Sequence, residues 1–215
     1  MRVKWLGHSA FLITSQAGTK VITDPYAPAV GLSYGPIKEA ADIVTVSHGH
    51  GDHNNAAALP GSPLVIKGVM TKKVKDVELS GVATFHDEDK GSQRGSNTVF
   101  CFTIDGMKVC HLGDLGHTLS PEQAAAIGEV DILLIPVGGY YTIDAEAATQ
   151  TYLDLKPKVV VPMHFKTPKC GFPISSVDDF LRGKTNAKKV GTSEVEFTRE
   201  KLPVSTEIVV LTPAL

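Results

Sequence analysis

Apolar residues along this chain fall into short β-branched and aromatic runs separated by polar turns, a pattern typical of β-strands. Continuous apolar runs among them are typical of strands buried on both faces. Asp105 and Gly106 form a two-residue turn signal that predicts a hairpin between two of the runs. The predicted strands cover residues 3–5, 10–14, 20–23, 43–46, 64–66, 82–85, 99–104, 108–110, 131–137, 158–162 and 208–211.

Helix signals occur mainly in the second half of the chain. Ser120 and Gln123 form a capping box around Pro121, and Gly128 ends that helix. Asp144 caps a helix with apolar positions on one face, and shorter helices are predicted at 52–59 and 175–181. A glycine- and proline-rich loop is predicted at 27–36, and an exposed helix face is predicted to carry Lys72, Lys73 and Lys75. The chain begins with strands and continues with strands that alternate with helices. This order of elements predicts two sheets covered by helices.

Composition narrows the class of protein. The 215 residues fit one domain, 1–215, and the balance of 21 basic against 23 acidic residues gives a net charge of −2. That balance argues against a long nucleic acid as partner, and no apolar run is long enough to span a membrane. The three cysteines form no CxxC pair, which predicts reduced thiols and a cytoplasmic protein, with Cys110 in the core.

The strongest chemical signal follows the strand at 43–46. His48, His50, Asp52 and His53 place three imidazoles and a carboxylate within six residues, entered from a buried strand. A polar turn with Asp52 as a helix cap would explain one such residue, but not the whole group. Imidazole and carboxylate ligands without a thiolate favour zinc, with manganese or iron as alternatives.

The His-x-His-x-Asp-His motif resembles the signature of the metallo-β-lactamase superfamily of metallohydrolases. Further matches follow in the expected order over nearly the whole chain: Asp24, His86 at a strand end, Asp114 in a Gly-Asp pair and His164 after a late strand. The Gly-His-Ser-Ala-Phe segment at 7–11 is similar to a branch of Zn-dependent hydrolases that includes L-ascorbate-6-phosphate lactonase. The resemblance implies an αββα sandwich, an α+β fold of two mixed β-sheets with helices outside.

The resemblance also implies a ligand set for two divalent metal ions. One ion would be held by His48, His50 and His86, the other by Asp52, His53 and His164, and Asp114 would bridge them. Two divalent cations, two carboxylates and a bridging hydroxide would sum to a net charge of +1. A site with that charge suits an anionic substrate.

Several assignments stay open at this stage. His111 competes with His86 for the third position on the first ion. His8, Asp24 and His111 resemble residues that orient metal ligands, although His8 and His111 equally fit structural roles. Asp87 is expected to be an exposed loop acid, with orienting His86 or contacting the metal as alternatives, and His117 is expected to face solvent.

Substrate-binding candidates follow or flank the strands that lead to the motif. They are Arg94, Asn97, Tyr140 and Lys166, with Tyr141 next to them. The predicted activity is hydrolysis of a small anionic lactone or ester by metal-bound hydroxide, with Asp52 and Asp114 as catalytic residues. The alternatives are a phosphodiesterase for a small substrate, an iron-dependent dioxygenase and, least favoured, a non-catalytic metal-stabilised binding module. The expected partner is a small molecule, and the oligomeric state stays open, a homo-oligomer included.

Overall fold

The computed structural model describes residues 1–28 and 31–215, so part of the predicted loop at 27–36 lies outside the described residues. Within that part of the chain there are fourteen strands and three α-helices. They are β1 Arg2–Gly7, β2 Ala10–Thr14, β3 Lys20–Thr23, β4 Ile43–Val46, β5 Leu64–Lys67, β6 Thr71–Val74, β7 Val77–Phe85, β8 Ser96–Ile104, β9 Met107–His111, α1 Pro121–Ile127, β10 Ile132–Pro136, α2 Ala145–Leu155, β11 Val159–Met163, α3 Val177–Leu181, β12 Ala187–Lys189, β13 Glu194–Glu196 and β14 Glu207–Val210.

The strands form two mixed sheets. In the first sheet the order is β13-β1-β2-β3-β4-β5, antiparallel from β13 to β3 and parallel from β3 to β5. In the second sheet the order is β12-β14-β11-β10-β9-β8-β7-β6, parallel from β12 to β9 and antiparallel from β9 to β6. The prediction of two mixed sheets is confirmed.

Alternating side chains of the first sheet serve two different cores. Phe11 and Ile13 of β2 pack into the large cluster that also contains Leu134 of the second sheet. Leu12, between them, belongs to a separate cluster on the other face, with Leu59 and other residues of the loops that cover it. Because successive side chains of a strand point to opposite faces, one short apolar run fills both cores.

Helices lie mainly against the second sheet. α1 contacts β7, and α2 contacts both α3 and β10. The predicted caps are confirmed: Ser120 and Gln123 form the capping box of α1, and the Asp144 side chain accepts hydrogen bonds from two N–H groups at the start of α2. Within the described residues, no helix is both long enough and apolar enough to cross a membrane.

Two predicted helices are wrong. Residues 52–59 contain only a 3₁₀ turn, Ala56–Ala58, because the Asn55 backbone and side chain bond to the loop after β3 instead of capping a helix. Lys72 and Lys73 lie on β6, and Lys75 follows it in the turn before β7. β6 is the edge strand of the second sheet, and exposed lysines on an edge strand oppose pairing with another sheet. This role accounts for the lysines without a helix.

Candidate metal centre

Loops from both sheets meet at one edge of the molecule. In the first sheet, the loops after the parallel strands β3 and β4 carry Asp24 and the 48–53 motif. In the second sheet, β7, β9 and β11 run in the same direction and end at His86, Asp114 and His164. Carboxyl ends of parallel strands meet at one sheet edge, so the topology brings together ligands that are far apart in sequence.

The backbone is held in unusual conformations at three of these positions. His8, Asp24 and His164 have φ angles of 51°, 38° and 49°, in the left-handed region that non-glycine residues seldom occupy. Such conformations persist where the surrounding structure fixes them, and they concentrate at functional sites. Gly113, just before Asp114, also has a positive φ, and a Cβ there would lie 2.4 Å from Asn97 Oδ1.

The Asp114 carboxylate lies at the centre of the converging side chains. Its Oδ2 atom is 3.1 Å from His53 Nε2, 3.4 Å from both His86 Nε2 and His164 Nε2, and 3.9 Å from His48 Nε2. The carboxylate is 2% exposed. One buried carboxylate oxygen is therefore surrounded by four imidazole nitrogens, all of them possible metal-binding atoms.

Possible ligand atoms fall into three groups, one of which, Asp24 with His48 and His53, overlaps the two clusters defined next. The first cluster consists of His48, His50 and His86, and the second cluster of His8, Asp52, His53 and His164. Within each cluster the ligand atoms lie within 4.8 Å of one another. Three or four nitrogen and oxygen donors at this spacing are enough to coordinate a divalent ion.

Buried atoms without partners support a metal at this place. His48 Nε2 and Asp114 Oδ1 are buried and have no hydrogen-bond partner among the described residues. A buried polar atom without a partner costs free energy, and a bound cation removes that cost for an imidazole lone pair or a carboxylate oxygen. The residues present therefore fit divalent metal ions.

The protonation states of these side chains also suit metal binding. Burial lowers the pKa of His48 to about 4 and that of His164 to about 3, so both imidazoles are neutral near pH 7. Burial by itself raises the pKa of Asp114, but the neighbouring imidazoles outweigh it and hold this pKa well below its ordinary value. Burial lowers the pKa of His53, but Asp114 and Asp24 reverse that effect and raise it, so a metal ion would displace a proton there.

Asp24 is linked by hydrogen bonds to two of the candidate ligands. Its Oδ2 atom lies 3.0 Å from His53 Nδ1 and accepts a hydrogen bond from the Ser47 hydroxyl at 2.5 Å. Ser47 Oγ in turn lies 2.9 Å from His48 Nδ1. With Nδ1 as donor in both rings, the Nε2 lone pairs of His48 and His53 are free to face Asp114 and the two clusters around it. Sequence reasoning missed Ser47, although its position between Ile43–Val46 and the motif was a usable signal.

His86 and His111 differ in their surroundings. His86 belongs to the first cluster. His111 is buried away from it: its Nε2 lies 2.8 Å from Ser9 O, and its Nδ1 accepts a hydrogen bond from the Gly113 N–H. Both ring nitrogens of His111 are thus used, and the geometry favours His86 as the third ligand.

Asn97 lies beneath the site rather than at its opening, in contrast to its predicted contact with substrate. Its side chain donates hydrogen bonds to Thr84 Oγ1 and Leu112 O and accepts one from the Asp114 N–H at 3.0 Å. Asn97 is 1% exposed. These bonds fix the start of the Asp114 loop, so Asn97 supports a ligand and is not open to a substrate.

A pocket of about 270 Å³ opens onto the clusters. Besides His50, Asp52, His86, Asp114 and His164, it is lined by Arg94, Tyr141 and Phe172. The Arg94 guanidinium lies 5.8 Å from the Tyr141 ring centroid. Sequence reasoning found Arg94 but missed Phe172, which follows no strand end and belongs to no motif.

Tyr140 and Lys166 do not line this pocket. Tyr140 is 65% exposed and has a positive φ that turns the chain, whereas Tyr141 contacts the pocket. The Lys166 ammonium donates a hydrogen bond to Phe172 O at 2.7 Å, which ties the loop that carries the Phe172 ring. His117, expected to face solvent, is partly buried, and its Nε2 accepts a hydrogen bond from the Phe85 N–H.

Comparisons with known proteins agree with this geometry. The family profile described as "Beta-lactamase superfamily domain" matches residues 2–164. A UPF0173 metal-dependent hydrolase from Anaeromyxobacter sp. (strain K) is 32% identical, covering 94% of this chain and 86% of the relative. A UPF0173 metal-dependent hydrolase from Archaeoglobus fulgidus is 29% identical, covering 83% and 87%. A crystal structure from Thermotoga maritima, of the metallo-beta-lactamase superfamily, has a TM-score of 0.82 and 38% identity, covering 98% and 97%.

Fold, ligand clusters and relatives together define a metal-dependent hydrolase with the metallo-β-lactamase fold, and the predicted fold and enzyme class are confirmed. Within that class, the chain belongs to the beta-lactamase superfamily and, more narrowly, to the UPF0173 metal-dependent hydrolases.

Proposed function

We propose that the protein is a binuclear metallohydrolase that acts on a small anionic lactone or ester. The observation that carries the proposal is the position of Asp114 Oδ2, within 3.9 Å of imidazole nitrogens from both clusters. A carboxylate in that position suits two ions better than one, because each cluster offers enough donor atoms for one ion and the Asp114 oxygen lies within reach of both clusters.

The chain offers each ion a separate set of ligands. The first ion would be held by the first cluster and the second by Asp52, His53 and His164, with Asp114 shared. His8 Nε2 lies 3.3 Å from Asp52 Oδ2, which fits a residue that orients Asp52. Zinc suits this donor set best, and manganese or iron are the alternatives. Bound divalent ions supply Lewis acidity and make water more acidic, which is the chemistry that hydrolysis near pH 7 needs.

The side chains around the pocket would supply substrate binding and proton transfer. Asp52 is 25% exposed and lines the pocket, so its carboxylate can accept a proton from the attacking water and pass it to the leaving group. Arg94 would bind an anionic group of the substrate. Tyr141 and Phe172 offer apolar contact surface for the rest of a small molecule.

The size and charge of the site support a small substrate. A volume of about 270 Å³ is at the lower end of small-molecule pockets. Two divalent cations against the Asp52 and Asp114 carboxylates leave a positive site, to which Arg94 adds. A lactone or ester with an acidic group matches this combination, and the resemblance to the L-ascorbate-6-phosphate lactonase branch motivates the lactone.

Metal content tests the proposal first. The protein should be purified without an affinity tag or added metal, and its metals measured by plasma mass spectrometry. About two equivalents of zinc or manganese per chain, together with turnover in a screen of anionic lactones and esters, is the expected result. About one equivalent, mainly iron, with oxygen uptake would replace the proposal by a dioxygenase. Turnover of small phosphodiesters alone would replace the substrate class.

A further inference from the structure

Asp87 directly follows the ligand His86, but its carboxylate turns away from the metal clusters. Oδ1 accepts hydrogen bonds from the backbone N–H groups of Asp89 and Gly91, at 2.9 and 2.8 Å. Oδ2 accepts hydrogen bonds from those of Gln93 and Arg94, at 3.0 and 2.7 Å. Asp87 is 3% exposed, so the expectation of an exposed loop acid is wrong.

These four bonds are the largest set of contacts in the loop, which also has a bond from the Ser92 N–H to Asp89 O, one from the Gln93 side chain to the Asp89 carboxylate and one from the His86 N–H to Gly95 O. The loop at 88–95 consists of polar residues and glycine, and none of its residues belongs to a buried core cluster. It closes through a hydrogen bond from the Gly95 N–H to Gly91 O at 3.0 Å. Gly91 has a φ of +82°, and a Cβ there would lie 2.8 Å from Gly95 O, so only glycine fits without strain. Asp87 is therefore the side chain that accepts the most hydrogen bonds from the backbone of this loop.

The last of the four N–H donors belongs to Arg94, the cationic side chain of the pocket wall. Its guanidinium lies over the Tyr141 ring and faces the same pocket as His50 and His86. Arginine has a long side chain with several free torsions, so a fixed backbone is needed to hold its head group in one place. The shortest bond of the set, 2.7 Å, supplies that fixed point at Arg94 itself.

We infer that Asp87 is a positioning residue for substrate selection: it fixes the loop so that Arg94 meets the anionic group of the substrate. This inference rests on the proposed function, in which Arg94 binds that group. Asp87 contributes no metal ligand, because both of its oxygens are occupied by backbone N–H groups. Its removal is expected to weaken anion binding while the metal content stays unchanged.

The test uses the metal-loaded protein and benzoate as a probe anion, with benzamide as its neutral counterpart. Binding is measured by isothermal titration calorimetry for wild type, Arg94→Ala, Asp87→Asn and Glu88→Gln. Asparagine cannot accept all four bonds, because its amide nitrogen would face two N–H donors. Glu88→Gln is the matched control, since it removes the same charge from an exposed position in the same loop.

We expect Arg94→Ala to weaken benzoate binding about 10- to 100-fold, as for loss of a charge-assisted hydrogen bond. Asp87→Asn should weaken it about 5- to 20-fold, and Glu88→Gln less than about 2-fold. Binding of benzamide should change little in all three. The Asp87→Asn/Arg94→Ala double variant should bind benzoate no more weakly than Arg94→Ala alone, because both substitutions remove the same interaction.

Two further measurements separate positioning from a general loss of structure. Hydrogen exchange should speed up at the amides of Asp89, Gly91, Gln93 and Arg94 in Asp87→Asn, and not in Glu88→Gln. Gly91→Ala, which deforms the loop without touching Asp87, should reproduce the loss of benzoate affinity and serves if Asp87→Asn does not fold.

The possible failures are distinguishable. If Arg94→Ala binds benzoate like wild type, the anionic-substrate part of the proposed function is wrong and the inference falls with it. If Arg94→Ala weakens binding but Asp87→Asn behaves like Glu88→Gln, only the role of Asp87 is wrong. A metal content in Asp87→Asn below that of wild type would also overturn the inference, since Asp87 would then act through His86.

Discussion

The two ligand clusters differ in how firmly the protein holds them. In the second cluster, His53 and His164 are 0% and 1% exposed, and Asp24 binds the outer nitrogen of His53. In the first cluster, His50 is exposed and lines the substrate pocket. His48 and His86 are buried as well, and Asp52 of the second cluster is 25% exposed, so the difference between the clusters lies mainly in the exposed His50 ring.

The Asp114 carboxylate lies within 3.9 Å of imidazole nitrogens from both clusters, so replacing it tests the comparison most strongly. Asp114→Asn should lower the metal content at both clusters and reduce kcat by at least about 10³-fold, more than the loss of a single transition-state hydrogen bond. Metal analysis and a turnover assay measure both effects. Asp178→Asn, at an exposed position, is the control. Retention of two ions by Asp114→Asn would contradict the shared-carboxylate arrangement.

The clusters should respond differently to the loss of one imidazole each. His50→Ala should remove about one equivalent of metal and abolish turnover with little change in stability, because the ring is exposed. His53→Ala should also remove about one equivalent but destabilise the metal-free protein by about 1–3 kcal/mol, since it removes one of the hydrogen bonds that satisfy the buried Asp24 carboxylate. Metal analysis and thermal unfolding in the presence of a chelator distinguish the two. Equal loss of stability would remove the proposed difference, and an active His50→Ala would refute the assignment of two ions.

A smaller effect is expected from residues that only orient ligands. Asp24→Asn should weaken metal binding about 10- to 100-fold, the range seen for partners of metal-bound histidines. Ser47→Ala should have a smaller effect, because it removes the partner of His48 but leaves the contact between Asp24 and His53. Competition with a chromogenic chelator measures both affinities. If Ser47→Ala had the larger effect, the first cluster would be the more dependent on its supporting hydrogen bonds.

Most of the candidate ligands could be predicted from the sequence because their chemistry is local. A strand that ends in several imidazoles and a carboxylate at 48–53 is recognisable without any knowledge of the fold, whereas Asp114 was predicted as a ligand from the resemblance to the metallo-β-lactamase superfamily. Supporting residues carry no such signal. Ser47 and Asn97 are common residue types, and their roles depend on which atoms lie opposite them.

The pocket wall was harder to predict for the same reason. Tyr140 and Tyr141 are adjacent and identical in type, yet only the second lines the pocket, because the chain turns between them. The predicted helix at 52–59 failed because Asn55 bonds to the loop after β3 rather than to its own segment. In each case a contact with a distant part of the chain outweighed the local pattern.

Most of the strands, the caps of α1 and α2 and the metal-binding chemistry of the 48–53 motif could be predicted from the sequence, because periodicity, capping and ligand type are properties of neighbouring residues. The short strands β6, β12 and β13 were not predicted. Tertiary contacts bring His86 rather than His111 into the first cluster, and they place the Asp87 carboxylate against the backbone of the Arg94 loop. Those outcomes depend on where strands from two sheets end relative to one another. That arrangement is set by the packing of side chains more than a hundred residues apart, such as His8 and His164, which no local pattern records.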